Sequence, residues 1–375
     1  MFTEQTASIS GEGVMRSTDT DEPRYLRIQR ILEEQILQGK LPPGSQLPGE
    51  RDLARQFGVS QMTVNRAIQE LVRKGRLYRR SGAGTFVTDA VQPVRVHGVV
   101  LVVPHAEHPQ ADTYLREPFR AVRNVAQARG LTLHIVQADV SEYTQVVDQH
   151  AHGALLFVAP PVNAHDVLSS LWQKGTCFVV MGASWQSSSF PCVDSDNFGG
   201  ARRAVEYLLS LGHRRIAYIN GWEGSTNCAD RLRGYEHAMQ KWDVPARSEW
   251  VVQAGSDSHL CVQARQQLTD LLIRTERVTA VFTAGYYLAL ETLTLLRSLG
   301  LSVPEDISMI AFDDPSSAAH LNPPLSTVRQ PLYEMGQRAM ELLMDLLTSP
   351  EPNALCQTIY LPTELVIRES CVRLG

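Results

Sequence analysis

The hydrophobic pattern in the first quarter of the chain is helical. Apolar residues recur every three or four positions over residues 24–37 and 50–57 and again from residue 61, which predicts three helices. Gly58 permits a tight turn between the second and third helices, and the hydroxyl of Ser60 is suited to cap the third. Two short helices joined by a glycine turn are typical of a helix-turn-helix, whose second helix enters the major groove of DNA.

Two short runs with apolar positions, residues 77–80 and 85–87, follow the third helix and predict a hairpin around a glycine-rich turn. Gly82 and Gly84 lie at its tip, where bare backbone can approach a phosphate or the minor groove. Residues 24–88 hold 12 Lys and Arg against 5 Asp and Glu, a net charge of +7. Because the whole chain has a charge of −5, the remainder carries −12. A basic segment on an acidic chain fits a DNA-binding domain, since phosphates attract the basic part.

From residue 96 the pattern changes to buried strands that alternate with helices. The predicted strands are 96–103, 131–136, 154–158, 177–181, 215–220, 280–283, 308–312, 357–361 and 365–367, and the predicted helices are 114–129, 163–174, 197–211, 229–241, 287–299 and 332–347. This order predicts α/β folding around parallel sheets with helices on both faces. The order restarts after residue 196, which indicates two lobes with a cleft at the carboxyl ends of their strands.

These patterns predict four segments. Residues 1–22 are polar and form a disordered tail, residues 23–88 form an α+β winged helix-turn-helix domain, and residues 89–95 form a linker. Residues 96–375 form a two-lobed α/β domain. Its first lobe is expected at about 96–190 plus 325–349, and its second at 191–324 plus 350–370.

Composition narrows the class of protein. A chain of 375 residues suits two or three domains, and no run of 18 apolar residues predicts a membrane span. The N-terminus has no basic start followed by an apolar core, so we expect no secretion signal and a cytoplasmic protein. The six cysteines are scattered and the histidines lack ligand spacing, so we expect neither a metal site nor a cofactor.

The first domain resembles the GntR family of bacterial repressors. The residues that carry this resemblance are Leu41–Gly44, Leu47–Pro48, Glu50–Arg51, Leu53–Ala54, Gly58–Ser60, Thr63–Val64, Ala67, Leu71, Gly75 and Gly82–Thr85. Together, the resemblance and the predicted helix-turn-helix imply that nine residues contact DNA. They are Arg51, Ser60, Gln61, Met62, Thr63, Asn65, Arg66, Gly82 and Gly84.

Two of these positions depart from the family pattern, which has Arg at both. Gln61 and Asn65 prefer adenine whereas Arg prefers guanine, so we expect an altered operator. Two alternatives stay open. The winged helix could serve protein contacts, and Arg76, Arg79 and Arg80 could be solvated charges.

The remainder of the chain resembles the LacI/GalR effector domain, which is related to the periplasmic sugar-binding proteins, so the resemblance implies a periplasmic-binding-protein-like fold. The resemblance rests on Val193–Asp194, Asn197, Gly199–Gly200, Leu211–Ile216, Arg231, Gly234–Tyr235, Val303–Ser308, Phe312–Asp314 and Pro323–Gln330. A GntR domain joined to such a sensor is similar to the arabinose-repressor subfamily. The LacI hinge helix is missing from the sequence, and the short linker takes its place.

The resemblance implies that an effector contacts Arg231, Asp313 and Gln330. Arg231 offers paired donors for hydroxyls or a carboxylate, although an ion pair with Asp313 is the alternative. His105, Trp185 and Asp196 are weaker candidates, because Trp185 could pack between elements and Asp196 could cap a helix. The family's Asn-Asp pair is replaced by Gly285 and Tyr286, so the pocket takes either a different ligand or none.

The sequence therefore predicts a DNA-binding transcriptional regulator, a repressor released by a small metabolite, most simply a sugar. It is expected to act as a homodimer on a near-palindromic operator. The alternatives are an activator or an effector-independent regulator whose second domain serves dimerisation. An enzyme is disfavoured, because no phosphate-binding glycine loop and no Ser-His-Asp order is present.

Overall fold

The structure, a computed structural model, describes residues 23–37, 40–73, 75–80, 83–88, 98–105, 109–150, 153–255, 259–349 and 352–374. The chain forms two compact units, Met1–Arg95 and Val96–Gly375, which are described separately. The predicted tail 1–22 and linker 89–95 lie outside the described residues. Within the described part of the chain, no helix is both long and apolar enough to cross a membrane.

The first unit packs three helices against a two-stranded hairpin. Its elements are α1 (Arg24–Leu37), α2 (Glu50–Phe57), α3 (Gln61–Arg73), β1 (Leu77–Arg80) and β2 (Gly84–Val87). β1 and β2 are antiparallel. The helical repeat buries one face of each helix, and these faces meet in a core that includes Ile28, Leu32, Leu53, Val64, Ile68, Leu71 and Leu77. Gly58 ends α2 in the left-handed conformation, with a φ of 63°.

The second unit contains two six-stranded sheets, and all strands of the first are parallel. Their order is β13-β7-β6-β5-β3-β4. The strands are β3 (Gly98–Val103), β4 (Thr132–Gln137), β5 (Ala154–Val158), β6 (Phe178–Met181), β7 (Cys192–Ser195) and β13 (Thr358–Leu361). Helices α4 (Pro109–Ala128) and α11 (Leu332–Thr348) cover one face, and α5 (Tyr143–Gln149) and α6 (His165–Gln173) cover the other. This two-sided burial explains why β3 is apolar at every position after its glycine.

The second sheet has the order β14-β12-β11-β10-β8-β9, with β14 antiparallel to β12. Its strands are β8 (Ile216–Asn220), β9 (Val251–Gln253), β10 (Ala280–Thr283), β11 (Ser308–Phe312), β12 (Ser326–Arg329) and β14 (Glu364–Val366). Its helices are α7 (Asn197–Ser210), α8 (Thr226–Lys241), α9 (Val262–Ile273) and α10 (Tyr286–Ser298).

The predicted lobe boundaries need correction. Strands β7 and β13 belong to the first sheet and not to the second lobe, whereas β12 belongs to the second sheet. The chain therefore crosses between lobes after β7, after β12 and after β13. Elements α5, β7, β9, α9 and β12 were not predicted from the sequence. Short strands such as β7, with the sequence Cys-Val-Asp-Ser, lack an apolar run, and only the surrounding sheet buries them.

Candidate functional site

The start of α3 forms the candidate DNA-reading surface. Gln61 and Met62 are exposed there, and 82% of the Met62 surface is accessible. Ser60 caps the helix, since its hydroxyl accepts the backbone N–H of Thr63 at 3.2 Å and lies 2.8 Å from the Thr63 hydroxyl. Arg51 is exposed on α2. The methionine packs little against the described residues, so its side chain can contact a base edge or methyl group.

Protein contacts already hold two of the predicted reading residues. Asn65 Nδ2 donates to both carboxylate oxygens of Glu50 at 3.0 Å, and Arg79 donates to the same carboxylate at 2.8 Å. The guanidinium of Arg66 stacks 4.0 Å from the ring centre of Tyr25. Bidentate recognition of adenine requires the amide nitrogen of Asn65, so this residue must leave Glu50 before it can read a base in that way.

The hairpin tip shows why residue 84 is a glycine. Gly84 has a φ of 116°, and a Cβ there would lie 2.7 Å from Gln46 Nε2, which donates to Ala83 O. Gly82 lies outside the described residues. Of the three arginines whose role was open, Arg76 pairs with Glu33 at 3.6 Å and Arg79 pairs with Glu50, whereas Arg80 is exposed.

In the second unit, a cavity of about 450 Å³ lies between the two lobes. Residues directly after the carboxyl ends of parallel strands line it, as open α/β sheets require of a ligand site. These residues are Pro104 after β3, Ala159 after β5, Gly182 after β6, Gly221 after β8, Ala284 after β10, Asp313 after β11 and Gln330 after β12. The cavity volume falls within the range of small-molecule sites.

Arg231 projects from α8 into this cavity wall and is only 5% exposed. Its Nε donates to Asn197 Oδ1 at 2.8 Å, and its Nη1 donates to Ala284 O. The guanidinium lies 3.7 Å from the ring centre of Phe312. The ion pairs of the described residues do not join Arg231 to Asp313, so the alternative of such a pair does not hold in this structure. Arg231 therefore has neutral hydrogen-bond partners at the wall of a cavity.

Asp313 and Gln330 form another polar part of the wall. Asp313 adopts the left-handed conformation, with a φ of 72°, and its carboxylate accepts the amide of Gln330. Gln330 is 7% exposed, and its Oε1 is buried without a hydrogen-bond partner among the described residues. The cleft thus contains a buried acceptor to which none of the described residues donates a hydrogen bond.

The other three predicted effector contacts are Tyr286, Trp185 and His105, and only Tyr286 lines the cavity. Tyr286 lines the cavity, but its hydroxyl donates to Ser317 Oγ at 2.8 Å, so the ring rather than the hydroxyl is available. Trp185 does not line the cavity, because its indole N–H donates to Val162 O at 3.0 Å and its ring packs on Phe190. His105 also lies away from the lining, 3.5 Å from the carboxylate of Glu142. Their roles as effector contacts stay predictions, and this structure places neither residue in the cavity lining.

Asp196, the remaining weak candidate, is a helix cap. Its carboxylate accepts the backbone N–H of Gly199 at 2.7 Å at the start of α7. The neighbouring carboxyl of Asp194 is fully buried, and burial raises its pKa to about 7. It accepts Ser195 N–H at 2.8 Å and the Ser184 hydroxyl at 3.2 Å.

The sequence analysis missed Tyr114, Trp222 and Asn227, which also line the cavity. Asn227 Nδ2 donates across the cleft to Gly182 O at 3.1 Å. Tyr114 comes from α4, and its hydroxyl is buried without a partner among the described residues. An aromatic residue at helical spacing resembles a core residue in sequence, so no local signal distinguished it.

The fold and the cavity define a class of protein. A winged helix-turn-helix unit is joined to a two-lobed α/β unit that has a ligand-sized cavity at the ends of its strands. This combination is that of a ligand-responsive DNA-binding regulator.

Comparison with known proteins agrees at the level of both domains. Residues 24–87 match the bacterial regulatory proteins of the gntR family, and residues 205–371 match the periplasmic binding protein-like domain. The chain therefore joins a GntR-family helix-turn-helix domain to a periplasmic-binding-protein-like domain, and the predicted fold class is confirmed.

Similar proteins match this chain over most of their length. The arabinose metabolism transcriptional repressor of Geobacillus stearothermophilus is 28% identical, over 93% of this chain and 97% of the repressor. The probable HTH-type transcriptional repressor ExuR of Bacillus subtilis is 26% identical, over 86% of this chain and 98% of its own. The transcriptional regulator CelR in complex with cellobiose is 26% identical, with a TM-score of 0.64 over 86% of this chain and 99% of CelR.

Proposed function

We propose that this protein is a transcriptional repressor that leaves its operator when a sugar occupies the cavity between the lobes. The observation that carries the proposal is the polar lining of that cavity. Arg231 supplies donors, while Asp313 and Gln330 supply acceptors, and hydroxyl groups pair with both. The similarity to an arabinose repressor and to a cellobiose-bound regulator supports a carbohydrate ligand.

The DNA-binding part of the proposal rests on the start of α3 and on the hairpin. We assign base contacts to Gln61, Met62 and Thr63, and backbone contacts to Arg51 and Gly84. Arg66, Asn65, Ser60 and Gly82 complete the assigned surface, and Asn65 contributes once Glu50 releases it. Two copies of the chain would bind half-sites of a near-palindromic operator in the cytoplasm of a bacterium.

Release requires a ligand that prefers one arrangement of the lobes. A sugar that contacts both lobes stabilises the closed arrangement, and the equilibrium shifts only by the difference in its affinity for the two states. In this scheme the cleft is a binding site and not a catalytic one. The protein therefore changes no bond of its ligand.

The test uses the full-length protein in two steps. Selection from a random DNA library yields the operator, and release of the labelled operator is then followed by fluorescence anisotropy with L-arabinose, D-ribose, D-glucose and cellobiose. We expect one of these sugars to release the DNA and to raise the melting temperature of the protein. Enrichment of an operator without release or stabilisation by any sugar would refute the sugar effector and leave the DNA-binding assignment intact.

A further inference from the structure

Two buried polar atoms at the cavity are left without a partner. Five buried side-chain atoms lack a hydrogen bond among the described residues, and Tyr114 Oη and Gln330 Oε1 are the two from cavity-lining residues. A buried group without a partner destabilises the protein unless a ligand satisfies it. Tyr114 belongs to the first lobe, whereas Gln330 lies where the chain crosses from β12 to α11.

The residues around Tyr114 leave space for its hydroxyl, but none of the described ones forms a hydrogen bond with it. A Cβ at Gly182 would lie 2.7 Å from Tyr114 Oη, so only glycine leaves room for the phenol at this position. The nearby Asn227 is engaged elsewhere, since its Nδ2 donates to Gly182 O and its Oδ1 accepts from the Thr226 hydroxyl. No hydrogen bond of good geometry satisfies the Tyr114 hydroxyl among the described residues, and Asn227 is one of the polar side chains that influence its pKa.

Tyr286, another tyrosine of the cavity lining, has a hydrogen-bond partner for its hydroxyl and so contrasts with Tyr114. Tyr286 lines the same cavity, but its hydroxyl donates to Ser317 Oγ. Its polar group is satisfied by the protein, and its ring contributes shape. Tyr114 differs because its buried hydroxyl has no hydrogen-bond partner among the described residues.

We propose that Tyr114 is a specificity-determining residue that binds a ligand hydroxyl from the first lobe, while Gln330 Oε1 accepts a second hydroxyl. This inference rests on the proposed function and adds the contact by which the first lobe would sense the ligand. Arg231 and Asp313 both belong to the second lobe, so a ligand that also reaches Tyr114 bridges the cleft. Bridging gives the ligand a preference for the closed arrangement, which release from DNA requires.

The chemistry of the two atoms restricts the ligand. Gln330 Oε1 only accepts hydrogen bonds, so the ligand must donate one there. Burial raises the pKa of Tyr114, and the nearby Asp194 raises it further, so the phenol stays protonated and both donates and accepts. A ligand with hydroxyls on two sides meets both requirements, whereas an ionised carboxylate without hydroxyls only accepts hydrogen bonds and leaves Gln330 unpaired.

The test compares Tyr114→Phe with Tyr333→Phe in the full-length protein. Tyr333 lies on α11 of the same lobe, outside the cavity lining, and its hydroxyl accepts from Asn124 at 3.2 Å. The melting temperature is measured without ligand, and the affinities for L-arabinose, D-ribose, D-glucose and cellobiose are measured by calorimetry. We expect Tyr114→Phe to melt at or above the wild-type temperature and to bind the active sugar about tenfold more weakly, roughly 1.4 kcal/mol.

We expect Tyr333→Phe to melt lower than wild type, because it loses a protein hydrogen bond, and to keep its sugar affinity. A lower melting temperature for ligand-free Tyr114→Phe would show that the protein satisfies its hydroxyl, which overturns the inference without any ligand. Unchanged affinity of Tyr114→Phe for a sugar that binds wild type would overturn the ligand contact and spare the proposed function. If the wild-type protein binds none of the four sugars, both the Tyr114 contact and the proposed sugar effector are overturned.

Discussion

The two candidate recognition surfaces differ in whether their polar groups already have hydrogen-bond partners within the protein. On α3 and the hairpin, Glu50 engages Asn65 and Arg79, so residues suited to DNA are already paired. In the cavity of the second unit, Tyr114 and Gln330 hold buried atoms that have no partner among the described residues. On the first surface, contacts within the protein must break before DNA contacts can form. In the cavity, a ligand can form hydrogen bonds without breaking any made by these two atoms.

The free energies of these two situations differ. An exposed ion pair contributes about 0–1 kcal/mol, so DNA phosphates and bases replace it at little cost. A buried polar group without a partner costs about 1–3 kcal/mol, so a ligand that satisfies it gains affinity and selectivity. We therefore expect changes in the cavity to have large effects on ligand binding and changes at Glu50 to have small effects on DNA binding.

The largest effect is expected for Arg231→Ala. The change removes the donors of a buried guanidinium and leaves Asn197 Oδ1 and Ala284 O without them. Sugar affinity should fall about 100-fold, roughly 3 kcal/mol, as measured by calorimetry. Operator binding should stay within twofold of wild type by anisotropy, and the sugar should no longer release the DNA.

Arg233→Ala is the matched control for Arg231→Ala. Arg233 lies on the same helix two positions later, and its exposed side chain pairs with Asp230 outside the cavity lining. We expect this control to bind sugar like wild type. Release of the operator from Arg231→Ala at wild-type sugar concentrations would remove this residue from the effector site.

A smaller effect is expected for Gly182→Ala, with Gly175→Ala as the control. Both glycines have left-handed backbone conformations, with φ of 74° and 85°, so each alanine should cost about 1–2 kcal/mol of stability. Only the Cβ at residue 182 meets Tyr114 Oη, since a Cβ at residue 175 has no atom within 4 Å. We expect about tenfold weaker sugar binding for Gly182→Ala alone. Equal sugar affinities of the two variants would show that the phenol can move without loss.

The sequence predicted the fold well where a pattern is local. The apolar repeat and the glycine turn of α2 and α3 are properties of neighbouring residues, and in the structure α2 has the predicted bounds and α3 begins at the predicted residue 61. Strand β7 and the crossings between lobes were missed or misassigned, because the sheet and not the local sequence determines their burial.

The candidate site was predicted only in part for the same reason. Arg231, Asp313, Gln330 and Tyr286 were named from the resemblance, and all four line the cavity. Tyr114 was missed because its role depends on the packing of α4 against Gly182, far away in sequence. Trp185 was named because an aromatic residue after a strand end suggests a sugar platform, with packing as the alternative, and the structure packs it on Phe190 outside the cavity lining.

The smallest effect is expected for Glu50→Gln, with Asp52→Asn as the control. Both changes remove one acid from the first turn of α2, but only Glu50 holds Asn65 and Arg79, whereas Asp52 pairs with Arg55. Freed Arg79 can neutralise a further phosphate, so Glu50→Gln should bind the operator about two- to fivefold more tightly than Asp52→Asn, roughly 0.5–1 kcal/mol. The slope of log affinity against log salt should steepen by about one. Equal slopes in anisotropy titrations would mean that Arg79 stays off the DNA, and the exchange argued for this surface would then fail.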